Sequence, residues 1–225
     1  MAQGGGGPIR EEYVDVPSGS AVLKGILALP RNAIGVVLFA HGSGSGRFSP
    51  RNSYVARVLQ EAGIATLLID LLTEKEAEDR RLVFDIDLLT RRVIDATAWL
   101  RQNPEIGDLP LGYFGASTGS AAALRAAAQE GTAVAAVVSR GGRPDLAMDQ
   151  LFQVKAPTLL IVGGNDEPVI ELNQIAYDRM TSPKELVIVP GATHLFEEPG
   201  ALEEVARLAR DWFVRYFQQR LKQAA

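Results

Sequence analysis

The sequence predicts an α/β fold, a doubly wound and mostly parallel sheet with an antiparallel N-terminal edge and no large cap. Three observations carry this reading. Short apolar runs recur along the chain, helical patterns alternate with them, and two segments of strand-like alternation come first. Runs that are apolar on both faces suit strands buried between two helical layers, and their alternation with helices is the signature of parallel βαβ units.

The opening pair runs over Glu12 to Val16 and Ala21 to Leu29, split by the turn formers Pro17, Ser18 and Gly19. These read as the antiparallel edge. The buried strands follow as Gly35 to Ala40, Ala65 to Ile69, Leu111 to Phe114, Val134 to Val138, Thr158 to Val162 and Leu186 to Val189. Helical patterns lie between and after them, over Arg51 to Ala62, Asp85 to Leu100, Thr118 to Glu130, Ile170 to Met180 and Ala201 to about Lys222. Gly63 and Gly131 stand just past helix ends, Pro104 beyond another, and Pro199 ahead of the last helix. The link from residue 139 to 157 is too short for a helical lid, so an open site is expected. The charged stretch Thr73 to Arg81 reads as a solvated loop or helix start rather than a binding element.

Composition bounds the partners. The 225 residues are 47% hydrophobic and 22% charged, enough to bury a core, and a net charge of -4 without a Lys/Arg block gives no footprint for nucleic acid or anionic lipid. There are no cysteines, which excludes disulfides, thiolate metal sites and a cysteine nucleophile. No run approaches the roughly 20 apolar residues that cross a bilayer. The Gly-rich start lacks the pattern of a signal peptide and reads as a flexible tail over residues 1–8, with one domain over residues 9–225. A cytoplasmic location is the resulting expectation.

The chemistry concentrates in Gly115-Ala116-Ser117-Thr118-Gly119, set between a predicted strand and an Ala-rich helix. This is the G-x-S-x-G nucleophile elbow in the context it requires. A serine hydroxyl needs a base, and the chain has two histidines, His41 and His194. His194 follows the last predicted strand and completes the order serine, acid, histidine. Asp166, in the loop after the preceding strand, is the acid that would fix the imidazole tautomer, with Glu167 next to it and Asp70 farther off as less favoured carboxylates. The Gly-rich loop His41 to Gly46 lacks the spacing of a dinucleotide fingerprint and has no P-loop lysine. It serves better as an oxyanion loop: the Ser43 amide would join that of Thr118 in holding the oxyanion, with His41 shaping the loop.

Together HGSGSGRFSPRN, GYFGASTGSAAAL, GGNDEPV and PGATHLFEEPG resemble the α/β-hydrolase superfamily, and within it the dienelactone hydrolase-like group, from about Gly35 to the C-terminus. The resemblance implies an esterase-type reaction through an acyl-enzyme, with Ser117, Asp166 and His194 at the triad positions. One departure stands out. Dienelactone hydrolases use a cysteine nucleophile and this chain has Ser117, so dienelactone is not the expected substrate.

The reading is therefore carboxylic ester hydrolysis on small or soluble substrates without a metal or organic cofactor. Its partner is a small-molecule ester rather than nucleic acid or membrane. Arg47, Phe48, Arg140 and Arg143 are candidates for binding an anionic or polar acyl group. Alternatives on the same triad are an acyltransferase, an amidase or a perhydrolase; a ligand-binding protein without catalysis is the reading from another class.

Overall fold

The computed structural model describes residues 8–225, so the tail expected over residues 1–8 lies, apart from Pro8, outside the described residues. Eight strands form one sheet: β1 (Arg10–Ser18), β2 (Ala21–Leu29), β3 (Gly35–Ala40), β4 (Ile64–Ile69), β5 (Leu111–Ala116), β6 (Val134–Arg140), β7 (Thr158–Gly163) and β8 (Lys184–Val189). Their spatial order is β1-β2-β4-β3-β5-β6-β7-β8. The pairs β1 with β2 and β2 with β4 are antiparallel, and the other five are parallel. The antiparallel edge and the parallel body expected from the sequence are both present.

Seven helices connect and cover the strands: α1 (Pro50–Glu61), α2 (Glu74–Ala77), α3 (Arg80–Val83), α4 (Ile86–Arg101), α5 (Thr118–Glu130), α6 (Glu167–Arg179) and α7 (Ala201–Ala224). Every residue of β3 to β7 is buried, because helices lie on both faces. At the edge β1 alternates between exposed and buried, as a strand with one wet face should. One apolar layer joins the sheet to α4, α5 and α6 through residues such as Val93, Leu124 and Ala176. The other joins it to α1 and α7 through Val55, Leu59, Phe213 and Phe217.

Helix starts follow local chemistry. Ser49 caps α1 by accepting from the Asn52 amide at 3.3 Å, with Pro50 preset for the first turn. Between β4 and α4 the sequence suggested only a loop or helix start. Instead Thr73 and Glu76 form a reciprocal capping box on α2, and Glu76 pairs with the buried Arg92 of α4 at 2.8 Å. Helix α6 begins at Glu167, ahead of the expected Ile170.

The chain order reverses between β3 and β5: β4 lies on one side of β3, and β5 on the other. Such a switch point opens a crevice outside the carboxyl ends of the strands, where ligands bind in open α/β sheets. His41, directly after β3, fastens one wall. Its Nε2 accepts from the Leu71 amide at 2.9 Å, which leaves Nδ1 to donate to the Gly42 carbonyl at 2.9 Å. Burial pushes its pKa below the ordinary imidazole range, against weaker upward effects from the Gly42 carbonyl and Asp70.

A neutral buried imidazole has a pH signature. The unfolded chain takes up a proton near about pH 6.5 whereas the folded one resists it, so stability is complete above that pH and is lost as the pH falls toward the lower folded value. Urea unfolding of wild type and His41→Asn between about pH 7 and pH 5 should show an acid-side slope, at most about 1.4 kcal/mol per pH unit for one group, that the variant lacks. Parallel curves for the two proteins would rule out this role.

Candidate functional site

The elbow connects β5 to α5 at that crevice. Ser117 has φ 51° and ψ −122°, a left-handed backbone rare for a residue with a side chain. Such strain, on the order of 1–3 kcal/mol, persists only where surrounding structure imposes it. Three backbone bonds do so: the Ser117 amide donates to the Arg140 carbonyl at 3.2 Å, and the Ser117 carbonyl accepts from the Ser120 and Arg143 amides at 3.1 Å each. The flanking glycines are sterically required. A Cβ at Gly115 would stand 2.5 Å from the Ser120 Cα, and one at Gly119 would collide with the Ala40 carbonyl.

His194 lies in the loop after β8 and Asp166 at the start of α6. The Asn165 amide donates to the Ala192 carbonyl at 2.9 Å and the Gly164 amide to that of Val189 at 2.8 Å, lacing the two loops together. His194 Nδ1 then meets Asp166 Oδ2 at 2.7 Å. With Asp166 ionised, Nδ1 donates and Nε2 is left as an acceptor, the tautomer a general base needs. The imidazole approaches the elbow over Gly141, where a Cβ would sit 3.5 Å from His194 Cε1. No hydrogen bond joins Ser117 Oγ to His194 among the described residues. Bonds of that kind tighten in the reacting complex.

The two expected oxyanion donors meet, but one is occupied. The Ser43 amide donates to Thr118 Oγ1 at 3.1 Å, so it is not the free donor that the sequence suggested. The bond ties the loop after β3 to the first residue of α5. Of the other carboxylates, Glu167 is exposed on α6, and Asp70 holds the loop after β3 by accepting from the Arg47 amide at 2.6 Å and from its guanidinium.

The four candidate substrate contacts divide. Arg47 is paired with Asp70 and stacks on the exposed Phe48, 4.3 Å from its centroid. Arg143 is held by Asp145 in two bonds of 2.8 and 2.9 Å. Arg140 is buried, without a carboxylate partner, and burial followed by the nearby Arg51 lowers its pKa to about 10. Sequence patterns missed one feature altogether. A cavity of about 260 Å³ lies between the loop after β3 and the segment after β4, lined by Leu72, Thr73, Glu74, Ala77, Val83 and Leu89 besides the loop itself. Thr73 to Arg81 is thus in part a cavity wall. The Thr73-x-x-Glu76 capping box was the available signal, obscured by the charge around it.

Among the described residues no three or more His, Asp or Glu side chains are grouped so as to hold a metal, and no helix is long and apolar enough to cross a membrane.

Comparison with known proteins agrees with this architecture. A dienelactone hydrolase of Anabaena variabilis ATCC 29413 superposes with a TM-score of 0.90 at 59% identity, over 92% of this chain and 98% of that one. Est1E of Butyrivibrio proteoclasticus shares the fold at a TM-score of 0.80 and 16% identity, over 92% and 99%. A Mycobacterium tuberculosis protein named "Putative phosphoribosyl transferase" is 59% identical over 207 residues, which are 92% of this chain and 47% of the relative. The chain thus spans about half the length of that relative. Residues 23–221 match the dienelactone hydrolase family, and the sheet and helices are those of the α/β-hydrolase fold. By this match the chain belongs to the dienelactone hydrolase family, with Ser117 in its strand-to-helix elbow.

Proposed function

We propose that the protein hydrolyses carboxylic esters of small or soluble substrates through an acyl-enzyme on Ser117. The observation that carries this reading is the 2.7 Å bond of His194 to Asp166 in the loops that face a strained serine elbow. Ser117 Oγ attacks the carbonyl carbon while His194 Nε2 takes its proton. That proton then passes to the alkoxide as the ester bond breaks and the alcohol leaves. Water, deprotonated by the same nitrogen, attacks the acyl-enzyme, and the acid departs as the proton returns to Ser117.

Charge develops on the carbonyl oxygen in both halves of the reaction. The Thr118 amide at the positive end of α5 suits that position. The Ser43 amide joins it by sharing its proton between Thr118 Oγ1 and the oxyanion. Hydrolysis is favoured over acyl transfer by access: the His194 side chain is 39% exposed, so water reaches the base. The transferase name of the mycobacterial relative describes a protein of which the match covers 47%. A serine, histidine and aspartate arrangement activates a hydroxyl toward acyl carbon, so we infer hydrolysis for the part the chain spans.

Ser117→Ala should lower kcat/KM for p-nitrophenyl acetate by at least about 10³-fold with an unchanged thermal melt, and should abolish labelling by a fluorophosphonate probe. Retained turnover and labelling would refute the nucleophile. Asp166→Asn should keep the fold and lose roughly 10³ to 10⁴-fold in kcat, because the amide selects the wrong imidazole tautomer. An equal loss on Glu167→Gln, with Asp166→Asn near wild type, would transfer the role to Glu167.

A further inference from the structure

A second chemistry sits on the α1 side of the elbow. Arg140 is the last residue of β6, and its carbonyl receives the Ser117 amide, so its side chain starts one hydrogen bond from the proposed nucleophile. The residue is only 7% exposed. Buried guanidinium groups are ordinarily paired with a carboxylate, since an uncompensated buried charge is costly. Arg140 has no such partner among the described residues. Its Nη2 makes one long bond to Asn52 Oδ1 at 3.3 Å, its Nε is buried without a partner, and the Phe196 ring centroid lies 6.0 Å away.

The surroundings add positive potential. Arg51, in the first turn of α1, acts on Arg140 as a like charge. Its own Nε is buried without a partner, and its nearest carboxylate is Glu197 at 3.6 Å, on a side chain that is 67% exposed. The first turn of α1 contains no acidic residue, so the helix's positive end reinforces both cations. Arg47 and Arg143, by contrast, are neutralised by Asp70 and Asp145. Two guanidinium groups and a helix N-terminus therefore gather beside the elbow, and among the described residues the one carboxylate paired with either is the exposed Glu197. That arrangement is unfavourable alone and becomes favourable once an oxyanion enters.

We propose that Arg140, Arg51 and Asn52 form a subsite for a compact oxyanion, a carboxylate or phosphate carried by the substrate whose ester is presented to Ser117. Its role in turnover rests on the esterase reading above, whereas its affinity for anions does not.

The test compares p-nitrophenyl hemisuccinate with the neutral p-nitrophenyl butyrate on wild type, Arg51→Gln and Arg140→Lys. The ratio of kcat/KM for the anionic over the neutral ester should fall at least tenfold in each variant, chiefly through KM. Separately, succinate and inorganic phosphate should raise the melting temperature of the Ser117→Ala protein, and the added Arg51→Gln substitution should remove the rise. An unchanged ratio together with no anion-dependent shift overturns the subsite while leaving the esterase reading intact. If neither ester is turned over but the anion shift is present and lost with Arg51→Gln, the esterase reading fails and the anion site stands. A phosphate shift with an unchanged ratio overturns the assignment to substrate, making the ligand a free anion. Should Arg140→Lys fail to fold, Arg51→Gln on the partly exposed start of α1 decides the matter.

Discussion

The site depends on one close approach: the turn out of β5 must pass against the end of β3 closely enough that position 119 has no room for a Cβ beside the Ala40 carbonyl. Beside that contact the backbone at Ser117, held by its bonds to Arg140, Ser120 and Arg143, takes a left-handed conformation at the head of α5. The same approach brings Gly42 against the Ser117 Cβ and the Ser43 amide against the Thr118 hydroxyl. Because β3 and β5 are the strands at which the chain order reverses, the crevice and the elbow are one consequence of the same topology.

The parallel strands were legible because burial on both faces leaves a continuous apolar run, which no exposed element imitates. Edges and polar connections were harder. Strand β8 begins at Lys184 rather than Leu186, and as the edge strand it leaves the consecutive Lys184 and Glu185, on opposite faces, only partly buried or exposed. The α2 and α3 turns were hidden because their stabilisation comes from a capping box and a buried Arg92 on a distant helix, neither of which leaves a hydrophobic period. The elbow and its partner loops could be read from their chain order and spacing. The engagement of the Ser43 amide could not, since it depends on a rotamer of Thr118, 75 residues away.

The two histidines separate by environment rather than by residue type. His41 is buried, with both ring nitrogens bonded to backbone, so neither nitrogen keeps a free lone pair or proton. His194 has one nitrogen bonded to Asp166, and its side chain is 39% exposed. The same imidazole thus becomes a fixed tie in one place and keeps a ring nitrogen without a protein partner in the other, among the described residues.

Four of the structure's violations of packing rules stand side by side at the elbow, while others, such as the buried Asn173 Oδ1 on α6 and Ser182 Oγ ahead of β8, lie elsewhere. Ser117 carries backbone strain, and the buried Ser120 Oγ, Ser139 Oγ and Arg140 Nε lack hydrogen-bond partners. All four belong to the carboxyl ends of β5 and β6 or to the first turn of α5. Each unsatisfied group costs about 1–3 kcal/mol, so the cluster is a real debit against a fold of ordinary stability. A core arranged for stability alone would fill this corner with apolar side chains, as the other ends of β5 and β6 do with Leu111 and Val134. Strain and unsatisfied groups standing side by side at that corner are what arises when a rim is shaped for a bound molecule and the remaining layers supply the stability that sustains it.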